Sequence, residues 1–380
     1  MEPAALTIRP VETKADRTAF VDLVWQVYAD DPAWVPPLRQ EVHGLITPGR
    51  NPWFEHARAK LWLAERGRKV VGRISAQVDE LVQVHMGQGS GQWGMFESLD
   101  AEAAEALIAA AEQWLREQGM TRSIGPMSLS IWDEVGLEIS GFEEAPTVMM
   151  PHHRPEYAGW VEAAGYAKAR DLLTYEVDIA SWSDPKIDRL IAMGERNPRI
   201  RIRKVDKSRF DEEARVILGL LNDAWSENWG FVPLTEAEIA YAGKKLKPII
   251  YPDMVRVAEL DGEPVGFMII LPDINELTLD LDGNLLPFGW AKLLWRLRKP
   301  KTTRARVPLM GLARKLHQTR LGTQIAFMLI ELTRRGAVET CGVTFGEFGW
   351  ILEENKGMLS IAELPGSSVN HVYRVYEKAL

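Results

Sequence analysis

Hydrophobic positions along the chain follow the same order twice. A short apolar strand pattern at Leu6–Pro10 precedes a stretch with helical spacing, and this pair returns from Arg201–Lys204 onward. The apolar residues that predict these two helices are Phe20, Leu23, Val24, Val27 and Tyr28 in the first half, and Ala214, Ile217, Leu218, Leu221 and Trp225 in the second. Each half then continues with two strands that a short polar turn joins.

A long amphipathic helix is predicted in the middle of each half. Its apolar face is formed by Ala104, Leu107, Ile108, Ala111 and Leu115 in the first half, and by Ile325, Met328, Leu329 and Leu332 in the second. Each half closes with a strand, a short helix and a terminal strand, at Leu172–Val177 and at Val372–Glu377. This order predicts an α/β (α+β) fold in which each half is a mixed, mostly antiparallel sheet with helices on both faces.

Short identities between the halves recur at one offset. Ala64-Glu65 and Val71-Gly72 return 194 residues later as Ala258-Glu259 and Val265-Gly266, which indicates a tandem duplication. A chain of 380 residues also suits two cores rather than one. We therefore expect domains at residues 1–183 and 200–380, joined by a polar linker at 184–199.

The amino-acid composition argues against several classes of function. The net charge of −8 argues against a general nucleic-acid binder, and the single cysteine, Cys341, fits a reducing compartment. The seven histidines form no zinc-binding spacing, so no metal is expected. No apolar run approaches the ~20 residues of a membrane span. A cytoplasmic protein is expected, and its oligomeric state stays open.

One segment, residues 285–306, differs from the rest in charge. It holds seven basic residues and no acid between Trp290 and Arg306, with Trp290, Leu293, Leu294 and Leu297 on one helical face. A basic, tryptophan-bearing amphipathic helix suits peripheral contact with an anionic inner membrane. An insertion helix packed on the second domain, or arginines that reach the phosphates of a cofactor, are alternatives.

Several segments carry a resemblance to a known family. The order of elements in each half, with the turn Asp261–Gly266 between two strands, resembles the GNAT acyltransferase superfamily. The whole chain resembles a bacterial family related to the bacterial ceramide synthases, through WVPPL at 34–38, GPMSLSIWDE at 125–134, VMMPHH at 148–153, NDAWSENWGFVPLTEAE at 222–238 and WILEEN at 350–355. The resemblance implies a CoA-dependent N-acyltransferase that acts on a primary amine, such as a long-chain, sphingoid-type amine. A non-catalytic scaffold and aminoacyl transfer from tRNA are the alternatives.

The same resemblance implies where acetyl-CoA or a longer acyl-CoA binds. The fold holds the pyrophosphate at a strand-to-helix turn, where free backbone amides favour an anion. The residues at that turn and just beyond the next strand are Leu312, Arg314, Gln318, Thr319, Arg320, Gly322, Thr323 and Asn355. A basic helix start whose glycine only makes a turn is the alternative. The corresponding stretch Glu97–Glu102 has three acids and no glycine, so the first half is expected to form an acceptor pocket instead.

Carboxylates near the last strands are the candidates for a general base. Glu347, at the end of a strand predicted over Gly342–Trp350, is the first candidate, and Glu353 is the second. The position of the tyrosine acid that many GNAT enzymes have in the final helix is vacant. Candidates for substrate binding are Asp133, Glu134, His152, Trp229 and Tyr376. Each of these is equally compatible with a turn, surface or core position.

Overall fold

The computed structural model describes residues 5–182, 184–363 and 366–380. Thirteen strands lie within those residues and form one continuous sheet. In chain order they are β1 Leu6–Pro10, β2 Ala57–Arg66, β3 Lys69–Asp79, β4 Ser90–Ser98, β5 Arg122–Gly125, β6 Leu137–Ser140, β7 Ala167–Asp178, β8 Ile200–Lys204, β9 Val255–Leu260, β10 Glu263–Pro272, β11 Arg304–Leu312, β12 Phe345–Leu352 and β13 Ser368–Ala379.

Helices of very different lengths cover the sheet. They are α1 Lys14–Asp22, α2 Val24–Val27, α3 Arg39–Leu45, α4 Glu80–His85, α5 Ala101–Glu117, α6 Tyr157–Ala163, α7 Pro185–Glu195, α8 Phe210–Trp225, α9 Glu236–Leu246, α10 Ile274–Thr278, α11 Gly289–Arg298, α12 Arg320–Cys341 and α13 Lys356–Ala362. The first predicted helix is thus two short helices that adjoin at Leu23, and the long helices of both halves are present as α5 and α12.

The terminal strands of the two halves exchange places. The strand order is β1-β2-β3-β4-β5-β13-β7-β12-β11-β10-β9-β8, with β6 paired to β13. Tyr175 and Val177 of β7 therefore belong to the core under α12, whereas Tyr376 of β13 belongs to the core under α5. The duplicated halves share one sheet, and each half is completed by a strand of the other. The boundaries predicted at 183 and 200 stay predictions.

The segment expected to be a polar linker contains a helix. Residues 185–195 form α7, and Ile187 and Ile191 pack against Met328 of α12. Two isoleucines four residues apart give the segment an apolar face that the second half buries. The linker at 184–199 stays a prediction, and the structure shows a helix within it.

Parallel strands diverge once in each half. β4 pairs with β5 only from Ser90 to Gln92, and β11 pairs with β12 only from Arg304 to Val307. Beyond Val307, β11 stays with β10 while β12 follows β7. We call the space between the diverging ends of β11 and β12 the cleft.

Candidate active site

The turn between β11 and α12 is tightly built around Gly322. Thr319 precedes the helix, and its hydroxyl accepts a hydrogen bond from the Gly322 amide at 2.9 Å. A Cβ atom on Gly322 would collide with the carbonyl oxygen of Leu316, so only glycine fits. The structure thus brings Gln318, Thr319, Arg320, Gly322 and Thr323 together at the N-terminus of a long helix. Whether they bind a pyrophosphate stays a prediction.

The residues flanking this turn have partners of their own. Arg314 donates to Asp223 at 3.2 Å and to Glu227 at 3.0 Å, both at or just beyond the end of α8. Leu312 accepts a hydrogen bond from the ring of His317 through its carbonyl oxygen. Asn355 lies farther on, where its side chain caps α13 by accepting from the Met358 amide. The charge of Arg314 is therefore already balanced by protein carboxylates.

In the first half, the acids between Glu97 and Glu102 do not lie together. Asp100 caps α5, and Arg66 pairs with both Asp100 and Glu102 on the surface. Glu97 points into the protein and is buried. The divergence of β4 and β5 is itself filled, because the Met127 amide bonds to the Trp93 carbonyl at 2.7 Å. That the first half binds no CoA stays a prediction.

Glu347, the first candidate for a base, is enclosed in hydrogen bonds. It is 1% exposed, and one carboxylate oxygen accepts a hydrogen bond from Thr147. The other oxygen accepts from Asn370 at 2.7 Å and from Arg304 at 3.4 Å. Since both oxygens already have donors, a role as base requires one of these bonds to open, and the assignment stays a prediction. β12 begins at Phe345 rather than Gly342, because Gly342 ends α12 in a left-handed conformation.

Three other candidates lie away from any common site. Glu353 bonds to Lys168 at 2.7 Å and to the Asp171 amide at 3.1 Å, which fastens the end of β12 to β7. The Tyr376 ring is buried in the first core, and its hydroxyl bonds to the exposed Glu162 at 3.1 Å. Trp229 packs under the guanidinium of Arg170. The structure does not bring these side chains to the residues described next.

Asp133, Glu134 and His152 line one large cavity. Its volume is about 680 Å³, and it lies between loops of the first half and the helices α9 and α11 of the second. Its lining includes the carboxylates Glu97, Asp133 and Glu134. It also includes an apolar group of side chains on and before α11, namely Leu285, Trp290, Leu293, Leu294 and Leu297. The apolar face predicted for 290–297 therefore faces a cavity. We call this space the chamber.

Glu97 is a site residue that the sequence pattern did not reveal. Its carboxylate accepts hydrogen bonds from Tyr28 at 2.8 Å and from Tyr157 at 3.0 Å, with Arg73 at 3.5 Å. Burial raises its pKa, although the guanidinium of Arg73 and the tyrosine hydroxyls oppose the shift. Glu97 looks like an N-terminal helix acid in the sequence, so nothing there distinguishes it from Asp100.

His152 connects the chamber to a buried carboxylate, Glu138. Its ring lies 3.0 Å from Asp31 on one side and 3.0 Å from Glu138 on the other. Glu138 also contacts the fully buried His371 at 2.9 Å. Burial alone would raise the pKa of Glu138, but hydrogen bonds from the two histidines outweigh it and lower the pKa to about 2. Glu138 and His371 were also missed by the sequence analysis.

A second, smaller cavity adjoins the chamber. Its volume is about 190 Å³, and it lies beneath α8 and α9. Its walls are mainly apolar, with Ile217, Leu221, Leu246, Ile250 and Val255 among them, and we call it the apolar pocket. At the cleft between β11 and β12 it is bounded by Arg306 and Trp350. Arg306 is a buried cation that donates to the carbonyl oxygens of Val148 and Gly349.

Two general properties complete the description. Within residues 5–182, 184–363 and 366–380, no helix has the length and apolar character needed to cross a membrane. Over the same part of the chain, His, Cys, Asp and Glu side chains form no group of three or more that could hold a metal ion.

Known proteins resemble this chain along its whole length. A bacterial ceramide synthase of Caulobacter vibrioides is 44% identical over 384 residues, covering 99% of this chain and 98% of that protein. This chain belongs to the bacterial ceramide synthase family. Protein YghO of Escherichia coli, 39% identical and covering 98% of this chain and 95% of its own length, is similar too. No protein-family profile matches the sequence.

Solved structures of distantly related proteins share the fold of this chain. A tandem GNAT protein from the clavulanic acid biosynthesis pathway superposes with a TM-score of 0.60 at 14% identity, over 99% of this chain and 98% of its own. A GNAT protein from Sphaerobacter thermophilus gives 0.53 at 12% identity, over 98% and 95%. The predicted tandem GNAT fold is therefore confirmed. Membership of the ceramide synthase family likewise confirms the prediction of an acyltransferase.

Proposed function

We propose that this protein transfers an acyl group from acyl-CoA to the primary amine of a long-chain, sphingoid-type molecule. The observation that carries the proposal is the mixed lining of the chamber. Its carboxylates suit an ammonium group, and the apolar side chains of α11 suit a hydrocarbon chain. The name of the Caulobacter relative, a ceramide synthase, supports the same class of acceptor.

The donor is assigned to the second half. The N-terminus of the 22-residue helix α12 favours an anion through the helix dipole, next to the exposed cations Lys315 and Arg320. In this proposal the CoA arm follows the cleft between β11 and β12 from the turn before α12 to Trp350, which borders the apolar pocket. Acyl-CoA held in this way would present its thioester to the pocket, where the acyl chain finds apolar walls.

Residues 285–306 are proposed to touch a membrane surface. The inner face of α11 lines the chamber, while Leu286, Phe288 and Trp295 are 71%, 77% and 75% exposed. Lys299 and Lys301 are exposed cations beside them. Exposed aromatic residues with neighbouring lysines suit an anionic bilayer, in which a long-chain amine would reside.

Release of free thiol tests this function. The purified protein is incubated with acyl-CoAs from acetyl to long-chain lengths and with a sphingoid-type amine, and the thiol is trapped while the amide is detected by mass spectrometry. We expect turnover with long acyl-CoAs and the long-chain amine, and weak turnover with a short water-soluble amine. If no donor releases thiol with the long-chain amine, the proposal fails. Equal rates with short and long amines would refute the assigned acceptor class.

A further inference from the structure

One carboxylate lies where the two cavities meet. Asp133 borders both the chamber and the apolar pocket, together with Trp132 and Met149. Among the described residues, it is the carboxylate common to the linings of both spaces. Its neighbour Glu134 faces the chamber alone. A group at this junction contacts an amine from one side and an acyl chain from the other.

The carboxylate of Asp133 accepts few hydrogen bonds from the protein. Its Oδ2 atom accepts one hydrogen bond, from the Ser130 hydroxyl at 2.7 Å. Within the described part of the chain, Asp133 forms no ion pair, and the cation whose charge acts on it is Lys245. This contrasts with Glu347, whose two oxygens accept from Thr147, Asn370 and Arg304. Asp133 is therefore available to a substrate without breaking the fold.

The charge around Asp133 favours a proton acceptor that works near neutral pH. Burial raises its pKa to about 6, while the hydrogen bond from Ser130 and the charge of Lys245 oppose the rise. The carboxylates of Glu134 and Glu238 face it as well and add to the rise. A base whose pKa lies just below the working pH is mostly ionised and still takes up a proton readily.

We infer that acyl transfer takes place at this junction and that Asp133 accepts the proton of the acceptor ammonium. This inference rests on the proposed function. The carboxylate removes one proton from R–NH₃⁺, which leaves the neutral amine with a lone pair. The amine attacks the thioester carbonyl, the C–N bond forms, and the C–S bond breaks to release the CoA thiolate. The proton on Asp133 then passes to the thiolate, and the second amine proton leaves to solvent.

The apolar pocket determines from which side each substrate approaches. Its walls suit the acyl chain, and Arg306 and Trp350 border it at the cleft through which the thioester would enter. The long-chain amine approaches from the other side, with its tail along α11. The ammonium and the thioester carbonyl meet beside Asp133, because this is the place where both spaces adjoin.

The decisive experiment compares Asp133→Asn with the matched control Asp211→Asn, an exposed acid on α8. We expect D133N to lower kcat by 100-fold or more with KM within about threefold, in line with the usual contribution of a general base. The fall of kcat/KM below about pH 6 in the wild type should vanish in the residual activity of D133N. D211N should match the wild type, and thermal melting checks that both variants fold.

Each arm of the experiment answers a separate question. D133N within threefold of the wild type, with the acidic fall of kcat/KM intact, overturns the inference while the proposed function stands. A wild type that acylates no long-chain amine overturns the function and the inference together. Asp133→Glu, which restores a carboxylate one methylene longer, should recover part of the lost kcat. Failure of that recovery together with a lowered melting temperature in both variants would indicate a structural role and contradict the inference.

Discussion

The Ser130 hydroxyl and the Asp133 carboxylate are joined by a hydrogen bond of 2.7 Å at the border of the two cavities. The backbone amide of Asp133 also bonds to the Ser130 carbonyl at 3.2 Å, so both groups lie on one tight turn. A hydrogen bond to an ionised carboxylate stabilises its charged form. Ser130 therefore sets the pH range in which Asp133 can accept a proton.

Removal of this hydroxyl should shift the pH profile of the enzyme. In Ser130→Ala the carboxylate loses a donor, so its pKa rises above about 6 and a higher pH is needed to ionise it. We expect the acidic fall of kcat/KM to move upward by about half a pH unit or more, with activity at high pH nearly unchanged. Ser140→Ala, on the edge of β6, is the control. An unshifted profile would exclude this coupling.

The buried pair of Glu138 and His371 should dominate the acid stability of the first half. The native pKa of Glu138 is about 2, below its ordinary 4.5, so its contribution is present above pH 4.5 and is lost as the pH falls towards 2. Glu138→Gln should lower the free energy of unfolding at pH 7 by about 3 kcal/mol. Urea titration from pH 3 to 7 measures both effects. Equal stability of variant and wild type at pH 7 would contradict them.

Glu347→Gln separates a structural role from a catalytic one. The amide disturbs the bonds to Thr147, Asn370 and Arg304, which should cost about 1–3 kcal/mol of stability. If Asp133 is the base, kcat at a temperature where E347Q is folded should stay within threefold of the wild type. A loss of 100-fold or more in folded E347Q, with D133N active, would make Glu347 the base.

A larger side chain in the apolar pocket should shorten the preferred acyl donor. Ala214 lines the pocket from α8, and phenylalanine there would occupy much of the 190 Å³. We expect Ala214→Phe to lose at least tenfold in kcat/KM for long-chain acyl-CoA while keeping its rate with short donors. Gly219→Ala on the same helix, where a Cβ meets open space, should leave the chain-length profile unchanged. An unchanged profile in A214F would exclude the pocket as the acyl site.

The exposed side chains of Phe288, just before α11, and Trp295, on α11, should determine membrane binding. Phe288→Ser combined with Trp295→Ser removes two side chains that are 77% and 75% exposed. We expect the double variant to sediment at least tenfold more weakly with vesicles rich in phosphatidylglycerol. Val84→Ser with Met193→Ser, exposed elsewhere, is the matched control. Equal binding of all three proteins, or binding that ignores vesicle charge, would contradict the proposal for 285–306.

Much of the fold could be predicted from local sequence patterns. The apolar faces of α5 and α12 were predicted residue by residue, because a buried helix face repeats every three or four positions. The exchange of β7 and β13 could not be predicted. Tyr175 and Tyr376 sit on strands of similar alternation, and that pattern states which face is buried without naming the neighbouring strand.

The site was harder to predict than the fold. The sequence marked Asp133, Glu134 and His152 as candidates, and the structure gathers them around the chamber. It also favoured Glu353, whose bond to Lys168 fastens two strands instead. The junction of the two cavities is made by residues more than 70 positions apart, such as Asp133 and Leu246, so local sequence spacing cannot reveal it.

The exchanged strands also constrain how the chain folds. β5 ends at Gly125, yet its neighbour β13 begins only at Ser368, so the first half cannot close its sheet until nearly the whole chain has been synthesised. Strands so far apart in sequence pair slowly, since the entropy cost of closing the long loop comes before the pairing stabilises the sheet. Until then β5 and β7 are both open edges, and an unpaired edge is where chains associate wrongly. The duplicated halves must therefore mature as one cooperative unit rather than one after the other on the ribosome.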